Sequence, residues 1–89
     1  MLEKLLEYLE DKKILILGVG IEGKSTYDFL RRNFPEKSLF IADKSTELLE
    51  VYPEFMEDMY LELSMGEHYL NGIEEFDLII KTPPFSMRY

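Results

Sequence analysis

Apolar residues in this chain occur in short blocks, and the spacing inside each block predicts a different element. The first block has charged residues between leucines at i, i+3, i+4 and i+7, namely Leu2, Leu5, Leu6 and Leu9. This spacing predicts an amphipathic helix over residues 1–11. Residues 13–17 instead carry the unbroken aliphatic run Ile-Leu-Ile-Leu after Lys13. Such a run is typical of a parallel strand that is covered on both faces.

The rest of the chain continues the alternation of helices and strands. Pro35 ends the helix that follows the first strand. Thr46 is a candidate N-cap for a short helix that ends before Pro53. The patterns together predict helices at 25–34 and 46–51, and strands at 38–43, 60–63 and 76–81.

Strands that alternate with helices predict right-handed crossovers and a parallel sheet. We therefore expect an α/β, Rossmann-like, three-layer fold with a mainly parallel sheet of about four to five strands. Eighty-nine residues make one domain, 1–89. Ligands of such sheets bind beyond the carboxyl ends of the strands. The loops expected at that edge are 18–25, 43–45 and 82–85.

Composition narrows the range of partners. A formal net charge of −8 repels nucleic acid and anionic membranes, so we expect neither as a partner. No apolar run is long enough to span a bilayer and no signal peptide is apparent. The absence of cysteine fits a reducing compartment, so we expect a cytoplasmic protein. The single histidine, His68, has no partner at metal-ligand spacing, and no metal site is predicted.

Three glycines connect the first strand to the next helix and predict an anion site. Gly18 allows a sharp turn, Gly20 allows a ligand to approach the backbone, and Gly23 allows the helix to pack close to the sheet. The first turn of a helix presents backbone N–H groups and the positive end of the macrodipole. A phosphate or diphosphate fits such a place.

The same letters satisfy two motifs. Gly18, Gly20 and Gly23 match the dinucleotide-type pattern G-x-G-x-x-G, and Gly18 to Ser25 match the phosphate-loop pattern G-x-x-x-x-G-K-S. In a phosphate loop, Lys24 would reach the terminal phosphates and Asp43 would hold magnesium. The dinucleotide-type interpretation uses Asp43 differently, because a carboxylate about 20 residues beyond the glycines can bind ribose or a base edge. We favour the dinucleotide-type geometry. Lys24 is then expected either as a counter-charge near the phosphate or as an ion-pair partner of Asp28.

The residues from Lys12 to Leu30, the strand ending Ala42-Asp43-Lys44-Ser45, and the stretch Phe76-Asp-Leu-Ile-Ile-Lys-Thr-Pro resemble the amino-terminal domain of the Mur ligases. The resemblance covers about residues 12–83 and is nearest to the branch that adds D-glutamate. It implies that the chain binds the UDP moiety of UDP-N-acetylmuramoyl-L-alanine for an ATP-dependent ligase of peptidoglycan synthesis.

The resemblance also implies the site. The backbone at residues 21–23 would meet the diphosphate, residues 43–45 would surround the uracil, and residues 82–84 would lie against the ligand. Pro84 departs from the glycine usual in the family and has no N–H to donate. The predicted ligand-binding residues are Gly18, Gly20, Ile21, Glu22, Gly23, Lys24, Ser25, Asp43, Lys44, Ser45, Thr82, Pro83 and Pro84.

No catalytic residue and no cofactor is predicted in this chain. Mur ligases carry a central ATPase domain with its own phosphate loop, and a third domain for the incoming amino acid. Neither is matched here, so we expect a truncated three-domain ligase whose ATP, Mg²⁺ and partner domains belong to the full-length parent. The alternatives are an NAD- or FAD-type regulatory or redox domain, or an interaction fragment that binds nothing.

Overall fold

The computed structural model describes residues 2–81, which form one parallel sheet with helices. The strands are β1 (Ile14–Leu17), β2 (Leu39–Asp43), β3 (Leu61–Met65) and β4 (Leu78–Lys81), and the helices are α1 (Leu2–Glu10), α2 (Ile21–Asn33) and α3 (Leu48–Val51). Two 3₁₀ turns, Pro53–Glu57 and Ile73–Glu75, complete the described part. The strand order is β3-β2-β1-β4, and every neighbouring pair is parallel.

One face of the sheet carries the main core. Alternate strand residues on this face are fully buried, and α2 packs on them through Tyr27 and Leu30. Gly23 is also buried, in accordance with close packing of the helix. The largest fully buried side chains are Ile14, Ile16, Leu30, Leu39 and Ile41.

The other face is covered by the crossover from β3 to β4, whose residues 66–77 include only a single 3₁₀ turn. Leu15 and Ala42 are nevertheless buried there. A cavity of about 320 Å³ lies between this face and the crossover, with Phe40, Tyr69 and Phe76 among its lining residues.

The predicted fold class is confirmed, including the parallel sheet and the strand after Tyr60. Two local predictions are wrong. Helix α2 begins at Ile21 rather than Ser25, because the chain turns off β1 at Gly18 and Gly20 is already the N-cap. Thr46 is not the N-cap of α3: Glu47 occupies that position without a side-chain cap. Between residues 2 and 81, no helix has the length and apolarity needed to cross a membrane.

Candidate functional site

The glycine bend lies at the carboxyl edge of the sheet, between β1 and α2. Gly18 has φ 87°, the left-handed region that favours glycine, and its N–H donates to the carbonyl oxygen of Ala42 at 2.7 Å. No side chain caps the start of α2, and the Lys24 N–H closes its first turn onto the Gly20 carbonyl at 3.0 Å. The bend therefore directs the positive end of α2 towards the sheet edge.

Neither the backbone geometry nor the packing of the described chain explains why residue 20 is a glycine. Its φ of −89° is accessible to any residue. A Cβ added there would meet no atom within 4 Å outside the adjoining residues of the described chain. The space in front of Gly20 is thus open, as the close approach of a ligand to the backbone requires.

Asp43 joins two of the predicted loops. Its Oδ2 accepts a hydrogen bond from the Val19 N–H at 2.7 Å, and its Oδ1 accepts one from the Ser45 N–H at 2.8 Å. The prediction that the loops after β1 and β2 meet at one edge is therefore fulfilled by direct contact. One oxygen of the carboxylate thus faces the glycine bend.

A third loop at this edge was missed by the sequence reasoning. Gly66 follows β3 directly and has φ 92°, and its N–H donates to the Asp43 carbonyl at 3.1 Å. A Cβ on Gly66 would lie 3.3 Å from Thr46 Cγ2. The signal available in the sequence was a glycine immediately after a strand, where parallel strands place their ligand loops.

The side chain of Lys24 contacts carboxylates of α2 and of the first 3₁₀ turn. Its Nζ lies 2.9 Å from Asp28 Oδ1 and 3.0 Å from Glu54 Oε2, and it sits over the rings of Tyr27 and Tyr52. The ion pair with Asp28 that the i, i+4 spacing predicts is present. The hydrogen bond to Asp28 is the main reason that the pKa of Lys24 lies above its ordinary value. Its role as a counter-charge to phosphate stays a prediction.

The remaining predicted residues differ in their exposure to solvent. Ile21, Ser25, Lys44 and Ser45 are exposed, and Glu22 is half-buried. The Ser45 hydroxyl accepts a hydrogen bond from the Glu47 N–H at 3.1 Å, which shapes the loop after β2. Thr82, Pro83 and Pro84 lie outside the described residues. Within residues 2–81, no group of three or more histidine, aspartate or glutamate side chains is placed to hold a metal ion.

The chain is similar to curated proteins over nearly its whole length. The UDP-N-acetylmuramoylalanine–D-glutamate ligase of Clostridium kluyveri is 38% identical over 82 residues, which are 92% of this chain and 17% of the ligase. The ligase of the same name from Acetivibrio thermocellus is 33% identical over 82 residues, 91% of this chain and 17% of that protein. The one from Clostridium acetobutylicum is 32% identical over 83 residues.

The chain spans 17% of the length of these relatives, and the match is to their amino-terminal part. No protein-family model matches the chain. No solved structure matches it either.

Proposed function

The chain belongs with the UDP-N-acetylmuramoylalanine–D-glutamate ligases as a homologue of their amino-terminal part, and on this premise we propose that it binds the UDP moiety of UDP-N-acetylmuramoyl-L-alanine. The observation that carries the proposal is the open space in front of Gly20, beside the uncapped start of α2. Backbone N–H groups at a helix start bind diphosphates, and glycine removes the Cβ that would keep the ligand away.

The proposed ligand lies across the carboxyl edge of the sheet. Its diphosphate rests on the backbone of residues 21–23, and its uracil lies near Lys44 and Ser45. The exposure of Lys44 and Ser45 supports this placement, because a base needs accessible polar groups at the end of β2. The neighbouring carboxylate of Asp43 keeps the two loops together.

We propose further that bond formation belongs to the whole ligase. In that scheme central and carboxyl-terminal domains supply ATP, Mg²⁺ and the D-glutamate site, and this chain supplies substrate binding in the cytoplasm. By itself the chain is not catalytic. The length of the relatives supports this division, because the chain corresponds to 17% of them.

Calorimetric titration tests the ligand class. The 89-residue chain is titrated with UDP-N-acetylmuramoyl-L-alanine, UDP, NAD, and ATP with Mg²⁺. We expect the two uridine ligands to bind weakly, because the titrated chain corresponds to only 17% of the length of the ligase. We expect no binding of NAD. Preferential binding of NAD would support a dinucleotide-binding redox or regulatory domain instead, and Mg²⁺-dependent binding of ATP would support the phosphate-loop interpretation.

Substitution of Gly20 tests the place of binding. Gly20→Ala and Gly20→Val leave the fold intact, since a Cβ at this position meets no neighbour in the described chain. We expect Gly20→Ala to weaken UDP binding about tenfold, roughly the effect of one lost hydrogen bond to a charged group, and Gly20→Val to abolish it. Ser38→Val is the control, because it places the same valine side chain at an exposed position just before β2, at the opposite edge. Normal UDP binding by Gly20→Val would remove the glycine bend from the site.

A further inference from the structure

The geometry points to Asp43 as a positioning residue, which holds the glycine bend in its binding shape rather than contacting the nucleoside. This inference rests on the proposed function, since it assigns a role within the same UDP site. It differs from the sequence-based expectation, in which the Asp43 carboxylate binds ribose or the base.

Both carboxylate oxygens of Asp43 are engaged by backbone amides. The Val19 N–H and the Ser45 N–H donate to different oxygens, at 2.7 and 2.8 Å. Hydrogen bonds to an ionised carboxylate are stronger than bonds between neutral groups. Val19 is only 8% exposed, so loss of its partner would leave a poorly hydrated N–H unpaired. The bond therefore fixes the backbone of the bend between Gly18 and Gly20.

The main chain beside Asp43 reinforces the same arrangement. The Asp43 carbonyl accepts from the Gly66 N–H at 3.1 Å, and the adjoining Ala42 carbonyl accepts from the Gly18 N–H at 2.7 Å. Residues 42 and 43 thus connect the loops that follow β1, β2 and β3. A change at Asp43 alters the position of the bend relative to the sheet, and with it the direction of the first N–H groups of α2.

Two effects of the Asp43 charge on an anionic ligand have opposite signs. A carboxylate near the start of α2 repels a diphosphate directly, so its removal would strengthen binding by charge alone. A carboxylate that orients the bend favours binding, so its removal would weaken it. Diphosphate affinity after neutralisation of Asp43 therefore separates a positioning role from a simple charge effect.

The test uses Asp43→Asn with Asp77→Asn as the matched control. Asparagine keeps one acceptor oxygen but places an NH₂ group where the second acceptor was, so at most one of the two amide bonds survives. Asp77 makes the same type of bond at the opposite end of β1, where its Oδ2 accepts from the Lys13 N–H at 2.9 Å. Both variants lose one negative charge. Asp43→Asn must lose at least one of its two amide bonds, whereas Asp77→Asn can keep its single bond through the remaining oxygen, and only Asp43 lies at the proposed site.

Titrations with UDP and with inorganic pyrophosphate give the binding result. We expect Asp43→Asn to lower the affinities for UDP and for pyrophosphate by the same factor, about tenfold, which corresponds to the loss of one charge-assisted hydrogen bond. Asp77→Asn leaves both affinities unchanged. Weaker binding of UDP with unchanged pyrophosphate would show that Asp43 contacts the nucleoside and would overturn the inference. Tighter pyrophosphate binding would overturn it as well, because only the charge effect would then remain.

Amide hydrogen exchange in the ligand-free chain gives a result that does not depend on the proposed function. We expect the Val19 and Ser45 amides to be protected in the wild type and in Asp77→Asn, and at least one of them to exchange about tenfold faster in Asp43→Asn. Equal exchange in all three proteins would overturn the positioning role. If the wild type binds neither UDP nor pyrophosphate, the proposed function fails, and the exchange rates still decide whether Asp43 holds the bend.

Discussion

At the scale of single residues, Asp58 receives hydrogen bonds from several parts of the chain. The Tyr27 hydroxyl, the Arg31 Nε at 2.9 Å and the Tyr60 N–H at 3.0 Å all donate to its carboxylate. Arg31 also donates to the carbonyls of Phe34 and Lys37. This cluster fastens the segment before β3 to α2, which carries the glycine bend at its other end.

The first prediction concerns acid stability. Burial raises the pKa of Asp58, but hydrogen bonds from Tyr27, the Tyr60 N–H and Arg31 outweigh it, so the pKa lies below 3.8. A lowered pKa stabilises the folded state above the unfolded value, and this stabilisation is lost as pH falls through the folded value. Asp58→Asn should cost about 2 kcal/mol at neutral pH. Its unfolding free energy should then fall less than that of the wild type on acidification.

Urea unfolding of both proteins at neutral pH and near pH 3 measures the difference. Glu57→Gln is the control, because Glu57 is exposed and lies next to Asp58 at the end of the 3₁₀ turn Pro53–Glu57. Parallel loss of stability in the wild type and Asp58→Asn would show that Asp58 does not contribute to acid sensitivity.

The second prediction concerns alkaline stability. Burial, and then the hydrogen bond to Asp58, raise the pKa of Tyr27 from 10.0 to about 12. The folded state therefore favours the neutral phenol, which stabilises the protein below pH 10.0. This contribution disappears as the pH rises from there towards about 12. Tyr27→Phe should lower stability at neutral pH by about 1 kcal/mol and remove this part of the alkaline loss.

Thermal unfolding across that alkaline range provides the measurement. Tyr8→Phe serves as the control, because Tyr8 is exposed on α1. If stability fell equally steeply with rising pH in the wild type and in Tyr27→Phe, ionisation of Tyr27 would not be a cause of the alkaline loss of stability.

At the scale of elements, α2 connects the candidate site to the core. Its amino end lies at the candidate site, and its carboxyl-terminal half packs on the sheet through Leu30, which is 1% exposed. The position of the first turn therefore depends on packing almost two turns further along. A loose helix would displace the N–H groups that are proposed to meet the diphosphate.

The third prediction tests this dependence. Leu30→Ala should lower the unfolding free energy by about 2–4 kcal/mol, because it removes buried methyl groups and leaves a cavity. Ile21→Ala, on the same helix at a position 60% exposed, should change it by less than about 0.5 kcal/mol. Chemical denaturation measures both. Similar losses in the two variants would show that α2 is not held by its buried face.

At the scale of the whole molecule, charge opposes the proposed ligand. The chain carries −8 at neutral pH, and the described residues extend over 34 × 33 × 26 Å. At about 0.01 M salt the Debye length is about 30 Å, so charges across the whole protein repel an anion. At about 0.15 M salt it is about 8 Å, and only the groups close to the site act on the ligand.

The fourth prediction follows from this difference in range. Affinity for UDP should be about twofold higher or more at about 0.15 M salt than at about 0.01 M salt. The higher salt screens the repulsion by distant charges and leaves the short-range hydrogen bonds of the site. Titration at both salt concentrations measures the effect. A decrease in affinity would indicate a site that depends on lysine or arginine side chains, with Lys24 as the first to substitute.

The succession of strands and helices along the chain could be predicted well from the sequence, because each element follows from a local pattern. Continuous aliphatic runs marked β1 and β4, and glycines marked the bend at Gly18, where the positive φ is present. Predictions of boundaries were weaker. The pattern predicts a start of α2 at Ser25, four residues after the observed start at Ile21, because glycines are typical of loops although Gly23 lies inside the helix.

Similarity along the chain also showed that it is a homologue of the amino-terminal part of the UDP-N-acetylmuramoylalanine–D-glutamate ligases. What only the tertiary structure decided are contacts between residues distant in sequence. Val19 and Asp43 lie 24 positions apart, and Tyr27 and Asp58 lie 31 apart. Periodicity reports which face of an element is buried, but it carries no information about which carboxylate oxygen meets which amide. That choice depends on the packing of β1, β2 and β3 side by side, and it makes Asp43 the residue that connects the loops after these strands.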